Sequence, residues 1–312
     1  MAQGHGEPEA SRRKGLKVKE FRSRSLSYEN ACVRIDVCDR DSQHEPRVSW
    51  RIGGHAFYST DAAKCFMELG YAVERTSIYT AEVSSVARSL ACTEHLAPVF
   101  LMWPDRSFNV DVECPPGMAR AEIPMMDGSA IKFFNALRNQ AGVPGELAFY
   151  DAPVSDAWEL RRPGDGAAYG CVRIAPSDAF EVSYILDRPD MDGFHSEADV
   201  SVYSAEDLYN IFEARTFIMA RDYEIARQNG LLAGVDESCG LLIDAKEPTL
   251  SQKYRVREEP ALHKILDLLG DLAFVRPALP KIRVEILNGG HAAHRQIIEK
   301  VINYAIRFRI CP

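Results

Sequence analysis

His263 and Asp267 stand four residues apart in the stretch LHKILDLLGD, residues 262–271. Around them Leu262, Ile265, Leu266, Leu268 and Leu269 recur with helical spacing, just after Pro260 and Ala261. On a helix, residues i and i+4 lie one above the other, so an imidazole and a carboxylate project together from a face otherwise given to core. Such a pair can satisfy itself with a local hydrogen bond, or it can hold a metal ion if further ligands exist. The eight cysteines, at 32, 38, 65, 92, 114, 171, 239 and 311, include no Cys-x-x-Cys pair. A metal would therefore be held by histidines and carboxylates. Two other stretches offer partners. ACTEHLAP puts Glu94 directly before His95, on a segment read as helical, and ILNGGHAAH puts His291 after two glycines where a strand gives way to a helix.

Glu-His-Leu, His-Lys-x-x-Asp-x-x-Gly-Asp and Gly-His-Ala, in this order, resemble the zinc-dependent UDP-3-O-acyl-N-acetylglucosamine deacetylases of lipid A synthesis. EIPMMDGSA (122–130), ARTF (214–217) and NGLLAG (229–234) extend the resemblance, which runs from about 80 to 303. A catalytic zinc takes three protein ligands and leaves one position open. His95, His263 and Asp267 would supply the three, and zinc bound there would acidify water and polarise an amide carbonyl. Neighbouring helical residues diverge by about 100°, so Glu94 is expected to act as general base, not as a ligand. His291 is expected to stabilise the oxyanion and to protonate the leaving amine. The resemblance further implies that Asp271 keeps His291 charged, that Thr216 donates to the oxyanion, and that Phe217 and Lys264 contact substrate. His294 reads as a helix-surface residue, His55 as a turn residue, and Asp127-Gly128 as a turn with Ser129 capping the next helix.

The elements that must carry these groups alternate in type. ACVRIDVCDR, PRVSWRIGG, SFNVDVEC, AAYGCVRIAP, FEVSYILD, CGLLIDA and KIRVEIL read as strands. TDAAKCFMELG, SSVARSLACTEHLAPVFLMW up to Pro98, GSAIKFFNALRNQAG, AEDLYNIFEARTF, ARDYEIARQNG, 262–271 and about 292–308 read as helices. No internal repeat stands out. The expected fold is α+β, with two domains that each pack a β-sheet against helices and with the metal site between them. A basic tail (1–25) is expected to be disordered. A Pro/Gly-rich break near 143–147 separates a first domain, 26–143, from a second, 144–312, that carries most of the site.

The chain has 312 residues, 46% hydrophobic and 26% charged, with a formal net charge of -8. That balance argues against a nucleic-acid or anionic-membrane partner. No apolar run approaches the roughly 20 residues needed to span a bilayer. With reduced thiols expected as well, a cytoplasmic setting fits.

The departures from the family pattern lie on the substrate side. Asn288 occupies the place of a lysine three residues before the last histidine, and Arg188-Pro189 stands where the family has His-Pro. AGVDESCG replaces a glycine-rich run, and the region around SYENACVRID lacks the family's Gly-Leu-His segment. Losing a lysine–phosphate contact costs about 1.5–3 kcal/mol, so Asn288 and Arg188 are candidate substrate-side positions. The expected function is a zinc-dependent amidohydrolase (cofactor Zn2+) that removes an acetyl or other acyl group from an N-acetylated amino sugar or sugar nucleotide. A same-fold zinc deacylase acting on a different small N-acyl compound is the first alternative. A non-catalytic, zinc-stabilised ligand-binding protein is the second.

Overall fold

Alternation of buried and exposed side chains runs along the strands of both halves. The structure, a computed structural model, describes residues 18–38, 45–60, 73–74, 77–78, 89–118, 120–152, 154–161, 170–189, 193–229, 232–244 and 253–309. Val18–Ser23 (β1), Ala31–Cys38 (β2), Val48–Ile52 (β3), His55–Ser59 (β4) and Ser107–Val112 (β5) form one five-stranded sheet, ordered β1-β2-β5-β3-β4. Trp158–Arg161 (β6), Cys171–Pro176 (β7), Phe180–Arg188 (β8), Phe194–Val202 (β9) and Ile282–Leu287 (β10) form a second, ordered β6-β7-β10-β8-β9. In each sheet the third and fifth strands pair in parallel and all other neighbours are antiparallel. The two halves thus repeat one topology that no sequence repeat reveals.

The helices extend the parallel. Two 3-10 segments, Thr93–His95 and Ala97–Met102, precede β5, and α1 (Ile131–Ala141) follows it. The second half inserts α2 (Tyr209–Glu213) and α3 (Ala220–Gln228) after β9. Then α4 (Glu259–Val275) precedes β10, and α5 (His291–Arg309) follows it. Every residue of α4 except Leu262 and Lys264 is buried. It runs against the 3-10 segments on one side and against β8, β9 and α5 on others. Trp50 of β3 packs on Phe274 of α4 with ring centroids 5.0 Å apart, so both halves share one core.

Four sequence expectations change. Residues expected to fray up to 25 include β1, because Phe21 buries its ring 4.9 Å from Phe133 while Arg22 pairs with Glu20 and Glu113 on the outer face. The helix read up to Pro98 is instead the strand Ser89–Ala91 followed by the 3-10 segments. Cys92 takes φ 63, which breaks any helix there, and Pro98 opens the second segment. The helix read over 205–217 begins as a 3-10 turn, Ala205–Leu208, and ends at Glu213, with Phe217 already in a strand. Ser129 does not cap α1, whose first cap is Ala130; its hydroxyl bonds Asp127 Oδ1 at 2.7 Å, although the turn at Gly128 (φ 80) is present. The helix read at 60–70 lies largely outside the described residues. His55 is exposed at the start of β4.

Candidate active site

Glu259, His263, Asp267 and Asp271 repeat every four residues along α4, and all four side chains are buried. Ionisable groups in such a place need partners. Glu259 binds Arg215 Nε at 2.8 Å and the Arg255 N–H at 2.7 Å, which fastens the start of α4 to the loop before Phe217. His263 Nδ1 donates to the Ala214 carbonyl at 3.1 Å, which leaves the lone pair on Nε2. That Nε2 is buried with no hydrogen-bond partner, 3.2 Å from Asp267 Oδ1. His95 Nε2 approaches the same Oδ1 at 3.9 Å. The ligand atoms of His95, His263 and Asp267 all lie within 4.8 Å of one another.

The donor set fits a metal ion. Bonds of about 2.0–2.2 Å in a tetrahedron place ligand atoms about 3.3–3.6 Å apart, and the 3.2 and 3.9 Å separations bracket that range. Burial, aided by the neighbouring His263, pushes His95 down to about 3, so its imidazole is neutral. Burial by itself would raise Asp267, but Lys264, His263 and His291 hold its carboxyl well below the usual range. Neutral imidazoles and an ionised carboxylate are the forms that bind metal. A second buried triad, Asp271, His291 and His294, has a different geometry. His291 Nδ1 and His294 Nδ1 each lie 2.7 Å from Asp271 Oδ2, which is hydrogen-bond contact and too close for two ligands of one ion.

Glu94 reaches this centre from the other half. A Cβ on Gly270 would collide with the Glu94 carbonyl oxygen and lie 2.5 Å from its Cα. Only glycine at 270 lets the Thr93–His95 turn sit against α4. Glu94 Oε2 is buried without a partner, and burial, partly offset by His291, pushes the carboxyl up to about 8. At His291 burial favours the neutral form, yet Asp271, Asp267 and Glu94 outweigh it and raise the imidazole to about 9. A cationic imidazole therefore faces a carboxyl group that burial keeps largely protonated near neutral pH. Gly270→Ala is expected to cost about 1–3 kcal/mol by overpacking and to weaken metal binding with it, checked by thermal unfolding and zinc titration. Wild-type values for both would contradict the wedge.

The remaining expected residues fall into two groups. Thr216 and Phe217 follow the loop that receives His263, and Lys264 Nζ lies 5.4 Å over the Phe217 ring and 2.9 Å from Asp267 Oδ2. Lys264 and Phe217 therefore adjoin the centre, with Thr216 next to Phe217 in the chain. Asn288 takes φ 50, accepts the Asp187 N–H at 2.7 Å and donates to the Asp187 carbonyl at 2.6 Å. Its amide thus fastens the end of β8. Arg188 lies at that same strand end, half-buried.

Three features escaped the sequence reading. His294 is wholly buried, not on the surface, and is bonded to Asp271. Tyr184 stands behind it, its hydroxyl 3.3 Å from His294 Nε2. An apolar cavity of about 200 Å³ opens beside Thr216 and Phe217, walled by Leu26, Met125, Tyr223, Leu232, Val235 and Leu241. Leu26 is held there because Glu122, fully buried, accepts from the Ser25 and Ser27 hydroxyls at 2.6 and 2.7 Å. The residues are scattered from 26 to 242, so no local motif marks the cavity. No described helix is long and apolar enough to cross a membrane, and none of the six described cysteines forms a disulfide.

Two imidazoles and a carboxylate able to hold a metal lie beside a second, buried carboxyl and a cationic imidazole on an α+β scaffold. The sequence model of the UDP-3-O-acyl N-acetylglycosamine deacetylases matches residues 50–303, most of the chain. The chain belongs to that family. The UDP-3-O-acyl-N-acetylglucosamine deacetylase of Synechocystis sp. is 26% identical over 231 residues, which are 73% of this chain and 78% of that protein. Its counterpart in Methylococcus capsulatus is 31% identical over 202 residues, 63% and 62% of the two chains. That of Psychrobacter arcticus is 29% identical over 203 residues, 62% of this chain and 59% of the relative.

Proposed function

We propose that this protein is a zinc-dependent N-deacetylase acting on a nucleotide-linked amino sugar that also carries an acyl chain. The observation that carries the reading is the buried His95, His263 and Asp267 set, with His263 Nε2 unpartnered, beside the unpartnered Glu94 Oε2. Zinc held by those three would polarise the amide carbonyl and acidify water. The zinc charge would favour the ionised form of Glu94, which takes the proton from the water that adds to the carbonyl carbon. The Thr216 hydroxyl donates to the oxygen as negative charge develops on it. As the C–N bond breaks, His291 gives its Nε2 proton to the departing nitrogen, while Asp271 holds Nδ1. The products are a carboxylate and a free amine. Lys264 and Phe217 bind the sugar side, and Arg188 takes an anionic part of the nucleotide.

The cavity beside Thr216 and Phe217 supports an acyl chain on the substrate, because its wall is mostly apolar. We also take residues near 143–144 as the boundary between two domains and the site as lying between them, supported by one sheet in each half. A sugar nucleotide is a cytoplasmic metabolite, which is our reason for assigning the enzyme there. The test compares kcat/KM for UDP-3-O-acyl-N-acetylglucosamine with that for the same compound lacking the O-acyl chain. Burial of four methylenes is worth about 3 kcal/mol, so a loss of roughly 100-fold or more is expected. Equal values would remove the acyl chain from the proposal. Tight binding without turnover of either compound by zinc-loaded protein would favour a binding protein.

A further inference from the structure

We infer that His294 and Tyr184 are positioning residues that fix the Asp271 carboxylate, and through it His291, for deacylation. The inference rests on the deacetylase reading of the site. Tyr184, His294 and Asp271 are fully buried, and His291 is 8% exposed. A carboxylate can only accept, so both imidazoles donate Nδ1–H to Asp271 Oδ2, at 2.7 Å each. With Nδ1 protonated, a neutral His294 carries its lone pair on Nε2. The Tyr184 hydroxyl lies 3.3 Å from that atom and has no other hydrogen-bond partner among the described residues. A charged His294 would present N–H there and leave the phenol proton buried and unmatched, at a cost of about 1–3 kcal/mol. Tyr184 thereby selects the neutral, Nδ1–H form of His294.

The consequence reaches the reacting atoms through Asp271. Its Oδ2 is held from two sides, so rotation of the carboxylate would break two bonds at once. His291, the other donor, is then kept with Nδ1 on Asp271 and Nε2 turned toward the centre, 3.9 Å from Asp267 Oδ2. The backbone makes room for this arrangement. His291 and His294 share one face of the first turn of α5, where the Gly290 carbonyl accepts the His294 N–H at 3.0 Å. A Cβ at Gly289 would collide with Ile286 and lie 3.1 Å from the Tyr184 hydroxyl. The Gly-Gly-His sequence is therefore a packing solution for Tyr184 as well as a helix start.

The experiment uses zinc-loaded full-length protein with four variants. His294→Leu is expected to lower kcat roughly 10-fold or more, with KM within about twofold and zinc content unchanged. His294→Asn, whose amide can still donate to Asp271, should recover most of that loss. Tyr184→Phe should lower kcat by a few fold, and the double variant Tyr184→Phe/His294→Leu should be no worse than His294→Leu. Ring nitrogen-15 NMR on histidine-labelled protein gives an independent readout: His294 should be the neutral Nδ1–H form, with the charged form gaining population in Tyr184→Phe. Wild-type kcat in His294→Leu, additive losses in the double variant, or an Nε2–H or charged His294 in the unaltered protein would each overturn the inference. Absence of deacylation in the unaltered protein would instead sink the functional reading, with the tautomer still deciding whether the pair exists.

Discussion

Glu94→Gln is expected to keep its zinc and to lose roughly 100-fold or more in kcat. Glutamine has the shape of glutamate and preserves the close approach of the Thr93–His95 turn to Gly270. It cannot take a proton from water. The carboxyl oxygen that would do so, Oε2, is buried with no partner, which is costly in the resting protein and useful only if something arrives to bond it. Replacing that carboxyl by an amide of the same shape should therefore leave thermal stability little changed, while the rate falls. The check is zinc per chain, melting temperature and kcat measured on one preparation. Loss of metal in proportion to activity would show that Glu94 is a ligand and not the base.

His263→Ala is expected to behave in the opposite way, losing metal and activity together. Outer-shell partners of a metal ligand are worth about 10–100-fold in affinity, so removal of a ligand should cost more than about 100-fold. The variant also deletes the Nδ1 donor to Ala214, which orients the loop leading to Thr216 and Phe217. Asp267→Ala should share the metal defect and also release Lys264, whose ammonium lies 2.9 Å from Oδ2. Circular dichroism would establish that each variant is folded before zinc is counted. One tightly held zinc per chain in folded His263→Ala would remove that residue from the ligand set.

The α4 part of the site was legible because helical spacing is a local rule. Four-residue steps put His263, Asp267 and Asp271 on one side whatever the rest of the chain does. His95 and Glu94 were legible by type but not by backbone: Cys92 in the left-handed region and Pro98 impose 3-10 turns where an apolar run suggested a longer helix. His294 was misread because HAAHRQ looks polar. Its spacing held the signal, since His291, His294, Ile298 and Val301 fall on one buried face. The local task of Asn288, with its left-handed backbone and two bonds to Asp187, was not legible from its type alone. The repeated sheet topology and the apolar cavity were not legible, because both depend on pairings between residues far apart in the chain.

The central claim is that deacylation depends on one zinc held by His95, His263 and Asp267. Its most direct measurement strips the protein with a chelator and titrates zinc back while following release of free amine from UDP-3-O-acyl-N-acetylglucosamine. Activity is expected to disappear with the metal and to return in proportion to zinc, reaching a plateau at one equivalent per chain, with no recovery in His263→Ala. Full activity in the stripped protein, or recovery in His263→Ala equal to that of the unaltered chain, would contradict it.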